Sequence, residues 1–82
     1  MTRSELARSR HEVGQRCGGL CEARTSLACS GRAQHIHHLR FRSQGGSDTA
    51  SNLIAVCLVC HDWIHTHPAE AAERGWIVRA GA

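Results

Sequence analysis

Five cysteines in 82 residues constrain this chain more than any other feature. A chain of that length buries too little surface to be held by apolar packing alone, so a cross-link or a bound metal is expected to supplement its core. Disulfides would leave one thiol of the five over, whereas four thiolates complete a tetrahedral metal site. Cys57 and Cys60 have the Cys-x-x-Cys spacing that lets two sulfurs at a strand end and a first helical turn reach one zinc ion. Cys17, Cys21 and Cys29 compete for the other two places. Cys21 with Cys29, or Cys17 with Cys21, is compatible by spacing with a closed four-sulfur site, and cysteines as mere small hydrophobes fit poorly with so many in so short a chain.

Residues 1–10 carry three arginines and a glutamate and lack the apolar core of a signal peptide. No window approaches a membrane span. These features predict a cytoplasmic protein with no membrane partner, in a compartment that keeps thiols reduced and free to bind metal. The ten basic residues, all arginine, stand against seven acidic ones for a formal charge of +3. That bias suits ordinary solubility as well as it suits a phosphate-rich partner, and the bidentate reach of arginine tilts it toward nucleic acid.

Thr2 followed by Glu5 is a capping-box pattern, predicting a short polar helix that ends near Gly14, buries Leu6 and Val13, and aligns its arginines with a DNA backbone. Residues 17–29, flanked and interrupted by Gly18, Gly19 and Ser30-Gly31, predict an irregular knuckle organised by its cysteines. Residues 33–39 and 53–56 predict two strands joined by a long polar loop, 40–52, that contains Gly45-Gly46. Val59, Trp63 and Ile64 recur at helical spacing and predict a helix from Leu58 to about His67; Pro68 ends it and opens a second helix, 69–74, which Gly75 terminates. Trp76, Ile77 and Val78 should fold back on the body. The predicted organisation is a single domain, 1–82: a peripheral N-terminal helix (1–16), a knuckle and strand–loop–strand–helix core (17–67), and a C-terminal helix and tail (68–82).

Six of the seven histidines lie between His35 and His67, with His11 apart. His61 and His65, four residues apart, share one helix face, the arrangement by which a helix offers two nitrogens to one ion. His37 and His38, adjacent on or just after a strand, point to opposite sides. One can complete a three-imidazole metal site while the other faces substrate as a general base. Three histidines leave coordination positions open, the character of a catalytic rather than a structural site. Any one of these residues alone reads as solvated surface; the joint pattern does not. His35 and His67 read as supporting or surface residues, and Trp63 and Trp76 as core.

Taken together, His37-His38, Gly45-Gly46, Asn52-Leu53 and Cys57-x-x-Cys60-His61 resemble the HNH endonucleases, especially the small phage-encoded kind, over about Cys21 to His67. The resemblance implies a small α+β fold, the ββα-metal or His-Me finger motif, stapled by a structural zinc and flanked by peripheral helices. It implies His37 as metal ligand, His38 as general base, Asn52 as the residue that tethers the loop and orients the base, and His61 as a further ligand. The run HDWIH is similar to the colicin nuclease domains, which place two ligands four apart, and implies His65 as the third ligand, a departure from the commonest version of the motif, where a lysine often follows the last histidine. We take Cys21, Cys29, Cys57 and Cys60 as the zinc set, with Cys17 as the alternative ligand. The implied cofactors are that Zn2+ and a catalytic divalent ion: Mg2+, Mn2+, Ni2+ or Zn2+. The implied activity is hydrolysis of double-stranded DNA to 5′-phosphate and 3′-hydroxyl ends, with Arg40 and Arg42 on flanking phosphates. Terminase subunits are the partners expected by family association. The rival expectation is a non-catalytic zinc module that binds DNA or protein as an accessory of phage packaging; no base-reading helix favours it.

Overall fold

A computed structural model describes residues 3–25 and 27–78. Its elements, in chain order, are α1 (Arg3–Cys17), β1 (His35–His38), β2 (Leu53–Val56), α2 (Leu58–Thr66) and α3 (Pro68–Glu73), with single 3-10 turns at Arg42–Gln44 and Ala50–Asn52 in the loop between the strands. β1 and β2 pair antiparallel, with His35 opposite Val56 and His38 opposite Leu53. The small α+β architecture expected from the sequence is therefore present, and β1, β2 and α2 form the strand–strand–helix unit. No helix among the described residues is long and apolar enough to cross a membrane.

The four residues of β2 are all buried, so this strand is covered on both faces. Ile54 and Val56 join Ile64 of α2, Ala71 of α3, Ile77 and the buried cysteines in one cluster. Leu53 and Ala55 face the other way and meet Val13 of α1, each burying an apolar side chain at a gain of about 1.5–3 kcal/mol for Val13 or Leu53. α1 is thus the lid over one face of the sheet rather than a peripheral appendage. It also continues three residues past Gly14, to Cys17. The Thr2 half of the expected capping box lies outside the described residues.

The knuckle is bound to β2 along its free edge, which would otherwise present unpaired backbone groups. Glu22 N donates to Ala55 O (2.8 Å), and Glu22 Oε1 accepts from Ala55 N (2.9 Å). Arg16, near the end of α1, grips both Glu22 carboxylate oxygens at 2.7 Å and donates to Ala50 O (3.1 Å) and Leu53 O (2.7 Å). One guanidinium therefore ties helix, knuckle, loop and strand together. Arg16→Ala is expected to lower stability by about 1–2 kcal/mol, a charged hydrogen-bond value discounted for partial exposure. The hydrogen bond from Arg16 holds the Glu22 carboxyl below its ordinary value. Its contribution is then full above the unfolded value of about 4.3 and lost as the pH falls through the lower folded value. Urea titrations of wild type and Arg16→Ala at pH 7 and pH 3 check this: the gap between them should narrow at pH 3.

Helix α2 begins on its own metal-ligand candidates. The Cys57 side chain, at the N-cap, accepts from Cys60 N at 3.3 Å, as a serine or aspartate would. Gly75, at φ 84°, turns the chain after α3 in the left-handed region that glycine enters without strain. The tail then returns: Val78 N donates to Leu39 O (2.8 Å), and Ile77 is buried. The boundaries of β1, α2 and α3 fall one or two residues inside or beside the ranges predicted from sequence.

Candidate active site

Two clusters flank the N-terminal half of α2. In the first, the sulfurs of Cys21, Cys29, Cys57 and Cys60 all lie within 4.8 Å of one another. Cys17 is not among them; it ends α1, donates a long contact to Gly14 O (3.8 Å) and packs on the Val13 cluster. Spacing leaves Cys17 and Cys29 as rivals; the antiparallel bridge of Leu20 with Arg32 folds the knuckle so that Cys29, rather than Cys17, lies beside Cys57. Backbone N–H groups point at the sulfurs: Thr25 N at Cys60 (3.3 Å) and Gly31 N at Cys29 (3.4 Å). Burial raises the Cys57 thiol, but N–H groups of Cys60 and Ser30 outweigh it and bring it down to about 6. At Cys29 the Gly31 N–H acts the other way from burial and the three neighbouring thiols, which push it up to about 12. Four thiolates this close repel unless a cation sits among them. The donor set fits a closed, four-sulfur structural zinc site.

In the second cluster, ring nitrogens of His37, His61 and His65 lie within 4.8 Å of one another. His37 sits in β1 at 3% exposure, while His61 and His65 are successive turns of α2. His61 Nε2 and His65 Nε2 are 3.2 Å apart, two ring nitrogens turned to a common point. His37 Nε2 donates to Trp76 O (2.7 Å); a carbonyl only accepts, so the neutral ring has its lone pair on Nδ1, the nitrogen free to meet a metal. A backbone carbonyl behind an imidazole is the usual way to fix its tautomer for metal binding. Burial holds His37 below its ordinary value, reinforced against Trp76 by the neighbouring histidines. Burial, then His65, does the same to His61. Both shifts favour the neutral ring, the form that binds a metal. His35 stacks on His61 (5.5 Å between ring centroids, 29°) and Phe41 on His65 (5.9 Å, 23°), so the trio is buttressed on two sides. These donors fit one divalent ion with open positions.

A cleft of about 360 Å3 opens over this trio, lined by His37, His61, His65, His38, Phe41, Arg42, Ser43 and Ile36. His38, the last residue of β1, turns toward the loop, where its Nε2 meets Asp48 Oδ1 at 2.6 Å. Asn52 brackets that loop from just before β2: Oδ1 accepts from Arg40 N (2.9 Å), and Nδ2 donates to Arg40 O (3.0 Å) and Ser47 O (2.8 Å). It tethers the loop at both ends without itself bonding to the His38 ring. Arg42 Nε and Nη2 are engaged by Asp48 at 2.9 and 3.0 Å, and Arg40 Nε by Gln44 O (3.0 Å). Phosphate contact by either residue would use the remaining guanidinium donors.

Gly46 is required by close approach. A Cβ there would stand 1.8 Å from Arg40 O, 2.6 Å from Arg40 C and 2.9 Å from Phe41 O, all backbone atoms that cannot swing aside. Gly46→Ala is expected to cost about 1–3 kcal/mol, the scale of overpacking, read as a lower urea midpoint.

Three contributors were invisible to sequence reasoning. Asp48 looked like one more turn residue of a polar loop. The Trp76 carbonyl is backbone and carries no sequence signal. Phe41 has no periodic partner. The expected supporting roles of His35 and His67 correspond to ring stacking, His67 lying on Trp63 (4.9 Å, 13°).

No curated protein and no solved structure matches the chain. The family model described as HNH endonuclease matches residues 15–67, a span that holds both clusters, both strands and α2 and exceeds half of the chain. The chain belongs to the HNH endonuclease family, whose general activity is that of a metal-using nuclease acting on DNA.

Proposed function

We propose that this protein is a metal-dependent endonuclease that hydrolyses phosphodiester bonds of double-stranded DNA with little sequence preference. The observation that carries the reading is the convergence of three imidazoles within 4.8 Å, in one cleft with His38. Phosphodiester hydrolysis needs an activated water, positive charge at the phosphate and stabilisation of the leaving oxygen. His37, His61 and His65 would hold a divalent ion, which would supply positive charge to the phosphate as negative charge develops there. His38 accepts a proton from water, and the resulting hydroxide oxygen bonds to phosphorus. The bond from phosphorus to O3′ breaks, O3′ takes a proton, and the ends are a 5′-phosphate and a 3′-hydroxyl. Arg40 and Arg42 hold flanking phosphates through donors not used within the loop. Cys21, Cys29, Cys57 and Cys60 hold the structural zinc, a site suited to a reducing cytoplasm. A small phage protein working beside terminase subunits is the setting the sequence resemblance favours.

The test is conversion of supercoiled plasmid to nicked and linear forms in Mg2+, Mn2+, Ni2+ and Zn2+, with sealing of the nicks by ligase reporting the end chemistry. Metal-dependent nicking that ligase reverses without prior phosphorylation supports the reading. DNA retention in a gel shift with no cleavage in any of the four metals replaces it with a non-catalytic binding module.

A further inference from the structure

His38 makes one side-chain hydrogen bond among the described residues, and its partner is a carboxylate. Asp48 is only 6% exposed although it lies in a polar loop, and carboxylates are seldom buried without paired donors. Here Oδ1 takes His38 Nε2 at 2.6 Å and Arg42 Nε at 2.9 Å, while Oδ2 takes Arg42 Nη2 at 3.0 Å. A carboxylate held in a guanidinium fork is an acceptor, so the proton in the 2.6 Å contact belongs to His38 Nε2. The neutral ring then has its lone pair on Nδ1. The stretch that carries Asp48 is pinned just before it, where Asn52 Nδ2 donates to Ser47 O (2.8 Å).

We propose that Asp48 is the positioning residue for His38: it locks the imidazole in the Nε2–H tautomer and fixes the ring so that Nδ1 is the nitrogen presented to the attacking water. Arg42 in turn orients the Asp48 carboxylate. The inference rests on His38 being the general base. In the step it serves, a water O–H bond breaks and the proton goes to Nδ1. The water oxygen bonds to phosphorus, the bond to O3′ breaks with its electron pair, and O3′ is protonated from solvent. Nε2 keeps its proton throughout, hydrogen-bonded to Asp48, and the carboxylate does not take it up. The competing role for Asp48 is a loop clamp acting only through Arg42.

The experiment uses the zinc-loaded full chain and single-turnover plasmid nicking in the most active metal. Asp48→Asn, nearly isosteric, and Asp48→Ala are made in wild type and in His38→Ala. The expected result is a loss of about 10- to 100-fold in rate, the scale for removing an orienting partner, with DNA affinity by fluorescence anisotropy within about twofold of wild type. In the His38→Ala background the same change should cost nothing further, because the partner it acts through is gone. A loop clamp predicts the same loss in both backgrounds and overturns the proposal, as does nicking at the wild-type rate. Long-range 1H–15N spectra of histidine-labelled protein give a readout independent of cleavage: His38 as the Nε2–H tautomer in wild type and mixed in Asp48→Asn. If wild type nicks DNA in no metal, the nuclease reading fails. The spectra alone then decide whether Asp48 sets the His38 tautomer, an unchanged tautomer in the variant overturning it.

Discussion

Replacing His38 with alanine is expected to slow single-turnover nicking by about two to four orders of magnitude, the usual worth of a positioned general base. The substitution leaves the other parts of the site in place. His37, His61 and His65 are separate from it and keep their mutual arrangement, so binding of the divalent ion should persist. His38 belongs to neither apolar cluster, and Asp48 keeps its Arg42 fork when the ring is removed, so the melting temperature should fall only modestly. On the proposed reading the arginines and the ion hold the DNA, so its affinity should change by less than about twofold. The loss should therefore appear in the rate at saturation and not in binding, the signature of an interaction made only in the transition state. His38→Ala that nicks at the wild-type rate would remove His38 from the chemistry and move the search to the other groups in the cleft.

Breaking the sulfur cluster should have the larger effect on the fold. Cys57 and Cys60 are fully buried and Cys21 nearly so, and the three form part of the cluster that joins β2, α2, α3 and the tail. A zinc held by these four sulfurs, as proposed, would be worth on the order of 10 kcal/mol, comparable to the entire stability of a small domain, about 5–15 kcal/mol. Cys60→Ser, or exhaustive chelation of wild type, is thus expected to abolish the cooperative thermal transition and most of the helical circular dichroism. Cys17→Ser should leave both near wild type, since that thiol stands apart from the cluster. Cys60→Ser with one tightly held zinc and an unaltered melt would refute a structural role for the site.

The legible part of this protein was whatever the chain encodes within a turn or two. Cys57-x-x-Cys60 and His61-x-x-x-His65 place their ligand atoms together once a helix forms, so spacing alone reveals them. The strand at 53–56, Pro68 and Gly75 are local signals of the same kind, and the observed elements lie close to where those signals put them. α1 is polar along most of its length, so its sequence does not announce the sheet face it covers; Val13 is one buried residue whose importance comes from the face it meets.

What tertiary structure decided were meetings across long stretches of chain. Cys29 rather than Cys17 lies with the other three sulfurs because of how the knuckle turns, a choice that spacing along the chain does not express. Asp48 reaches His38 because Asn52 cinches the loop, and Trp76 O supports His37 from 39 residues away. Arg16 joins four segments through hydrogen bonds that no periodicity marks. Local geometry follows from covalent spacing and backbone dihedrals, which the sequence carries residue by residue. Which loop residue ends beside which ring depends on closing long segments onto a shared core, and that balance of chain entropy and packing exists only in the folded whole.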